Sequence, residues 1–352
     1  MRLRYEGGIG VEKTLVAMSG GVDSTGVLLM LRNKGIDADG VIMLLPETDE
    51  TALEDARLAS EKLGAKLHIL SLEKEFEKLV IDDFVNEYKA CRTPNPCVVC
   101  NIKMKFGLLL DYALENGYSY LATGHYARIE ESGGRFYLKK ALDAKKDQSY
   151  VLYGISKDRL AHIKFPLGES VKDDVRDMLK DGNFRNAAKK DSQDICFVQK
   201  GSYADFIKEY SGEEFPCGDF CDLSGKVLGT HKGLIRYTLG QRKGLGLALP
   251  QSMYVTRLDG ENNRVILGLE PDLYSKRLEA DNVNLIAVDK ITDGMRVNAR
   301  ARYNMKEEPA RVFDGDNGKI IVEFEKPQRA ITPGQSVVLY DGDTVVGGGR
   351  II

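Results

Sequence analysis

Two adjacent glycines, set between an apolar run and a helix-forming run, place the tightest constraint on how this chain folds. Ser19-Gly20-Gly21-Val22-Asp23-Ser24 follows Leu15-Val16-Ala17-Met18 and leads into a helical pattern over residues 24–34. Glycines let the backbone turn sharply and aim N–H groups at an anion, and a helix N-terminus adds the positive end of its dipole. The segment is expected to bind phosphate. No Gly-x4-Gly-Lys-Ser/Thr string occurs, which speaks against a Walker-type NTPase. No Gly-x-Gly-x-x-Gly follows this strand, which speaks against a simple dinucleotide site.

The surrounding pattern predicts the layout of the first half. Strands over 14–17, 38–44, 66–70 and 120–123 alternate with helices over 24–34, 50–63, 76–90 and 101–116, the signature of a parallel sheet with helices on both faces. Ser132-Gly133-Gly134 between 128–131 and 136–139 reads as a hairpin turn. After about residue 205 the texture changes to Gly, Asp and Pro punctuation with few helical runs. Turn signals such as Asp314-Gly315-Asp316-Asn317-Gly318 and Asp341-Gly342-Asp343 predict a small β-barrel. The expected organisation is therefore an α/β chain: a Rossmann-like parallel-sheet domain over 1–205, a small central module over 206–275, and a C-terminal β-barrel over 276–352.

Composition narrows the classes. With 43% hydrophobic and 29% charged residues, the chain has an ordinary globular make-up. Lys+Arg 50 against Asp+Glu 53 excludes a histone-like bulk charge but not a local basic face. The first residues lack the apolar core of a secretory leader, and no stretch reaches the roughly 18 apolar residues of a membrane span. A cytoplasmic location without membrane contact is expected, and there thiols stay reduced.

Six cysteines, at 91, 97, 100, 196, 217 and 221, must then be hydrophobes, ligands or reagents. Arg92-Thr93-Pro94-Asn95-Pro96-Cys97-Val98-Val99-Cys100-Asn101 is a Pro-punctuated loop entering a helix, and a Cys100 thiolate beside the helix N-terminus would be favoured by the dipole. Cys97-x-x-Cys100 has redox or metal spacing. Cys196 sits in the polar Asp191-Ser192-Gln193-Asp194-Ile195-Cys196-Phe197. Cys91, Cys217 and Cys221 are expected to pack, Cys217-x3-Cys221 lacking the second pair of a zinc site. His68, inside an apolar strand, is expected to be structural.

The glycine loop resembles that of the PP-loop ATP pyrophosphatases. Adding Ala122-Thr123-Gly124-His125-Tyr126-Ala127-Arg128, Lys146-Asp147-Gln148-Ser149-Tyr150 and Thr238-Leu239-Gly240-Gln241-Arg242-Lys243-Gly244-Leu245-Gly246 to the cysteine motifs, the chain resembles the tRNA-specific 2-thiouridylases along nearly its whole length. The resemblance implies ATP-dependent 2-thiolation of the wobble uridine of tRNA. ATP would lie against Ala17, Met18, Ser19, Gly20, Gly21, Val22, Asp23 and Ser24, with Met43 and Gly124 near the nucleotide. Mg²⁺ would accompany it, with Asp23 a candidate ligand. Cys196 would carry sulfur as a persulfide and Cys100 would resolve it through a transient disulfide. Asn95, Pro96 and Cys97 would approach the target base, and His125, Lys146, Asp147, Gln148, Arg302, Tyr303 and Gln335 would contact tRNA.

One departure stands out: the family commonly has Asp where this chain has Cys97. Cys97, Cys100 and Cys196 together suffice to bind three irons of a four-iron four-sulfur cluster; the other reading is a spare thiol beside a persulfide pair. The sulfur donor would be a sulfur-relay protein, a cysteine desulfurase or inorganic sulfide. A tRNA surface needs local Lys and Arg, and 139/140/145/146, 180/185/189/190, 236/242/243 and 296/300/302/306/311 are the candidate clusters. Another PP-loop ligase or RNA thiolase is the alternative.

Overall fold

A computed structural model describes residues 12–46, 48–189, 195–198 and 201–352. The chain divides into two compact units, one from the described residues among 1–74, 103–149 and 158–193, the other from those among 75–102, 150–157 and 194–352.

The first unit is built on five parallel strands: β1 (Thr14–Met18), β2 (Ala38–Leu44), β3 (Leu67–Ser71), β4 (Tyr120–Ala122) and, later in the chain, Ile163–Lys164. Their order is β3-β2-β1-β4 with Ile163–Lys164 outermost. β1 is central, and its apolar run is buried on both sides of the sheet, as parallel strands covered by helices require. Helix α1 (Val22–Asn33) buries Val27, Leu28 and Leu31 into this core, and α2 (Glu50–Lys62) adds Ala56 and Ala59. Asp49 caps α2 by accepting from Thr51 N at 2.9 Å. The expected hairpin forms between Ala127–Ser132 and Arg135–Lys140, with Gly133 and Gly134 both at positive φ, the two-residue turn whose twist matches the strands.

The sequence reading misses three features here. The first helix opens at Val22 rather than 24, because Gly21 takes the extended N-cap conformation. The helices expected over 76–90 and 101–116 contain π-helical stretches, Glu77–Ile81 and Asn101–Leu109, which a 3.6-residue period does not reveal. The two-residue strand Ile163–Lys164 is too short to carry a periodicity.

The second unit contains two β-structures. Gly218–Asp222, Val227–His231, Tyr254–Asp259 and Arg264–Gly268 form a four-stranded sheet around Phe220, Val255, Val265 and Leu267. A closed barrel follows from Tyr274–Leu285, Met295–Arg300, Glu308–Asp314, Ile320–Arg329, Ser336–Asp341 and Thr344–Ile351, filled by Val312, Val322, Val337, Leu339 and Val346. Closure depends on Tyr274–Leu285, which pairs with Ile320–Arg329 along its first half and with Thr344–Ile351 along its second. A register shift between Asp281 and Asn284, with Asn282 at φ 48°, bends it between the two partners. The Asp-Gly turn signals join barrel strands as expected. Arg350 on the last strand ties the barrel to the Asp82–Lys89 helix, with ion pairs to Asp83 at 3.2 Å and to the buried Glu87 at 3.3 Å. Among the described residues, no helix is long and apolar enough to cross a membrane.

Candidate active site: a phosphate loop and a cysteine-bearing surface

The phosphate loop lies at the carboxyl end of β1, between β2 and β4, where the strand order reverses and open α/β sheets place their ligands. Gly20 makes the turn at φ +65°, and a Cβ there would lie 2.3 Å from Ala52 O. Gly21 supplies no side-chain cap to α1, so the first-turn N–H groups are left for an anion. Ser24 points inward, its Oγ accepting from Ser19 N at 3.1 Å and donating to Gly21 O at 3.3 Å. Gly124, just after β4, packs directly on the loop: a Cβ there would come within 2.8 Å of Asp23 Cβ. Met43 is half-buried near the end of β2, whose neighbour Ile42 pairs with Met18. Residues 17–24, 43 and 124 are thus gathered at one end of the sheet.

Several groups around this loop were not legible in the sequence. Asn186, 5% exposed, donates from Nδ2 to Gly20 O at 3.2 Å, Gly21 O at 3.3 Å and Thr25 Oγ1 at 2.8 Å. Lys189 donates to Gly20 O at 3.4 Å and pairs with the buried Asp55 at 3.3 Å, where Arg185 also approaches at 3.6 Å. Arg185 and Lys189, grouped above with a tRNA-facing cluster, therefore sit beside the phosphate loop; Lys190 of that cluster lies outside the described residues. Asp23, the candidate Mg²⁺ ligand, already has both oxygens engaged, by Tyr126 Oη at 2.8 Å and by the buried Lys172 Nζ at 2.6 Å.

His125 is buried at 8% exposure. Its Nδ1 lies 2.7 Å from Thr123 Oγ1, and its ring contacts Phe106 and Phe165. Burial first, then Lys105 beside Nε2, pushes its pKa well below 6.5, so it is neutral near pH 7. Lys146 is half-exposed. Asp147 braces a turn, accepting from Ala141 N at 3.0 Å and Ser149 Oγ at 2.8 Å, and Gln148 accepts from Tyr126 N at 2.9 Å. His68 bridges Tyr112 and Tyr118 through its two ring nitrogens, the structural role expected of it.

The cysteines at 97, 100 and 196 all belong to the second unit. Asn95 accepts from Cys97 N at 3.2 Å and Pro96 takes the first helical position, so the helix starts at Pro96 (Pro96–Cys100) rather than at 101. This corrects one expectation: Cys97, exposed, occupies the first turn, and Cys100, half-buried, lies at the far end of the segment. The preceding loop is pinned to the barrel. Thr93 N donates to Pro333 O at 2.8 Å, and Gln335 donates from Nε2 to Thr93 O at 2.7 Å and Pro94 O at 3.3 Å. Cys196 is exposed at a turn; the Asp191–Asp194 part of its motif lies outside the described residues. Arg302 is half-buried, donating to Leu239 O at 3.1 Å and to Thr332 Oγ1, whereas Tyr303 is exposed and stands 5.4 Å from the Arg300 guanidinium.

The remaining cysteines separate. Cys221 is fully buried and Cys91 half-buried, but Cys217, expected to pack, is exposed because it precedes the Gly218–Asp222 strand. Among the described residues no disulfide is formed, and no group of three or more His, Cys, Asp or Glu is placed to hold a metal ion.

Three family descriptions cover the chain: "tRNA methyl transferase HUP domain" at residues 12–200, "tRNA methyl transferase PRC-barrel domain" at 204–269, and "Aminomethyltransferase beta-barrel domain" at 275–351. Curated relatives match end to end. A protein of Acetivibrio thermocellus named tRNA-specific 2-thiouridylase MnmA is 46% identical, covering 97% of this chain and 99% of its own. One of Halothermothrix orenii with the same name is 47% identical over the same shares. A third, from Clostridium acetobutylicum, is 42% identical.

Two outcomes follow from this geometry. Replacing Asn186 with Leu removes one donor from each of two loop carbonyls and from Thr25 Oγ1, a cost of about 1–3 kcal/mol. ATP binding measured by calorimetry should weaken by up to roughly 5- to 150-fold; unchanged affinity would show that the loop is held without it. His125 gives a pH dependence. Its folded pKa is depressed, so the unfolded chain binds the proton more readily, and stability is lost as pH falls below about 6.5. Urea unfolding at pH 7.5 and 5.5 should show a steeper loss for wild type than for His125→Asn, by up to ~1 kcal/mol per pH unit. Equal slopes would contradict the burial account.

Proposed function

Because the chain belongs to the tRNA-specific 2-thiouridylases, we propose that it thiolates the wobble uridine of tRNA at the 2-position, consuming ATP and releasing AMP and pyrophosphate. The observation that carries this reading is 46% and 47% identity along 97% of the chain to relatives bearing that name. Exposed or half-exposed Cys97, Cys100 and Cys196 and a phosphate loop without a side-chain cap supply the two chemistries it needs.

The triphosphate lies along residues 17–24, with Met43 and Gly124 beside the nucleotide. Uridine O2 attacks the α-phosphorus, the bond to pyrophosphate breaks, and C2 now carries AMP, which includes the former uridine oxygen, as its leaving group. The first-turn N–H groups and dipole of α1 stabilise the charge that develops on phosphate. Mg²⁺ carried by the nucleotide would neutralise more of it; Asp23, held by Lys172 and Tyr126, is not assigned as its ligand.

Sulfur reaches Cys196 when its thiolate attacks the outer sulfur of a persulfide on a relay protein or cysteine desulfurase, whose own cysteine leaves as the thiolate. The terminal sulfur bonds to C2 and AMP departs. Cys100 thiolate then attacks Cys196 Sγ, the S–S bond to the transferred sulfur breaks, and the sulfur stays on C2. The resulting Cys100–Cys196 disulfide is reset by a dithiol reductant. The steps above use Cys100 and Cys196 as a persulfide pair. Asn95, Pro96, Cys97 and Tyr303 approach tRNA from the second unit, with Gln335 and Arg302 bracing that surface, and Lys146 contributes charge from the first.

Given tRNA, ATP and a persulfide source, Cys196→Ser should lose 2-thiouridine formation by roughly 10²-fold or more while retaining tRNA-dependent pyrophosphate release. A Cys196→Ser enzyme that thiolates at the wild-type rate would remove Cys196 from the mechanism.

A further inference from the structure

The residue after Cys196 is as buried as Cys196 is exposed. Val198 N donates to Ile195 O at 3.0 Å, closing a turn with Cys196 and Phe197 at its corners. Phe197 is 3% exposed, its ring edge-on to Phe76 at 5.7 Å and Phe84 at 5.2 Å and tilted against Phe206 at 5.3 Å. Phe76 and Phe84 are themselves fully buried, and edge-on aromatic pairs add attraction beyond burial. Phe206 comes from the helix Tyr203–Ser211, started by a Ser202–Asp205 capping box. The cage is continued by Tyr88, edge-on to Phe84 at 5.0 Å and stacked on Tyr203 at 4.7 Å.

The same helical region supports the other cysteine. The Pro96–Cys100 helix packs against Glu77–Ile81, the stretch between Phe76 and Phe84. The chain between them is fixed where Arg92 Nε donates to Glu87 Oε2 at 2.7 Å. Both cysteine-bearing segments are therefore mounted on one support, Cys196 through the ring of Phe197 and Cys100 through its helix.

We infer that Phe197 is the positioning residue of sulfur transfer: its caged ring fixes the turn that presents Cys196. The inference rests on the sulfur-carrier role of Cys196 proposed above. Without the ring, the turn loses its anchor while the phosphate loop, in the other unit, is untouched. A reacting atom displaced by about 1 Å costs on the order of 100-fold in rate.

The test compares wild type, Phe197→Leu, Cys196→Ser and, as a control for lost core packing, Phe220→Leu in the four-stranded sheet. Readouts are pyrophosphate release, 2-thiouridine formation, melting temperature, and the yield of Cys100–Cys196 disulfide when diamide removes two electrons and two protons from the thiols. Phe197→Leu should keep pyrophosphate release within about twofold, lose thiolation by about 10- to 100-fold, and lose disulfide yield in parallel. Phe220→Leu should keep the ratio of thiolation to pyrophosphate release. If Phe197→Leu does not fold, Phe197→Tyr, which forces a hydroxyl into the cage, carries the same expectation.

Wild-type thiolation by Phe197→Leu, or an equal loss in Phe220→Leu at an equal drop in melting temperature, would overturn the inference. If Cys196→Ser also thiolates normally, the carrier role itself has failed; if Cys196→Ser is dead and Phe197→Leu active, only the positioning role has.

Discussion

The turn at Gly20 is the constraint on which the first unit depends. At φ +65°, with Ala52 O where a Cβ would be, only glycine fits, and its neighbour Gly21 leaves the N-terminus of α1 without a side-chain cap. An uncapped helix end is costly unless something else satisfies it. The carbonyl side of the loop is held separately, from behind: Ser24 closes it locally, and Asn186 and Lys189 grip its carbonyls from far along the chain. The turn is thereby held in one conformation, the preorganisation on which electrostatic stabilisation of charge depends.

Cysteine chemistry is arranged on a different principle. Here two cysteines are exposed and their neighbours buried: Cys97 beside Pro96 and Val98, Cys196 beside Phe197. Such alternation leaves a thiol open to solvent while the backbone carrying it stays fixed in a core. Gln335 and Arg302 belong to the same logic. Both were expected at the tRNA surface by resemblance, and both spend hydrogen bonds within the second unit, Gln335 on the Thr93–Pro94 carbonyls and Arg302 on Leu239 O.

The sequence was informative wherever a local rule carried the outcome. The parallel sheet, the Gly133-Gly134 hairpin and the barrel turns at 314–318 and 341–343 are short-range patterns, and each appears as expected. The glycine turn and the helix it opens were legible because they lie in six consecutive residues. Asn186, Lys172 and Asp55 were not, because they reach the loop by folding, Asn186 across 166 positions to Gly20. The start of the helix at Pro96 was visible in principle, since Asn-Pro is a cap followed by a favoured first residue; reading it would have placed Cys97 in the first turn. The burial of His125 was hidden because its partners Phe106 and Phe165 flank it only in the tertiary structure.

The central claim, that this chain places sulfur on tRNA uridine, is met most directly by mass spectrometry of nucleosides from the tRNA of a strain lacking it. The account predicts that 2-thiouridine derivatives disappear and return when the intact chain is supplied again. Their persistence at the original level in the deleted strain would contradict it.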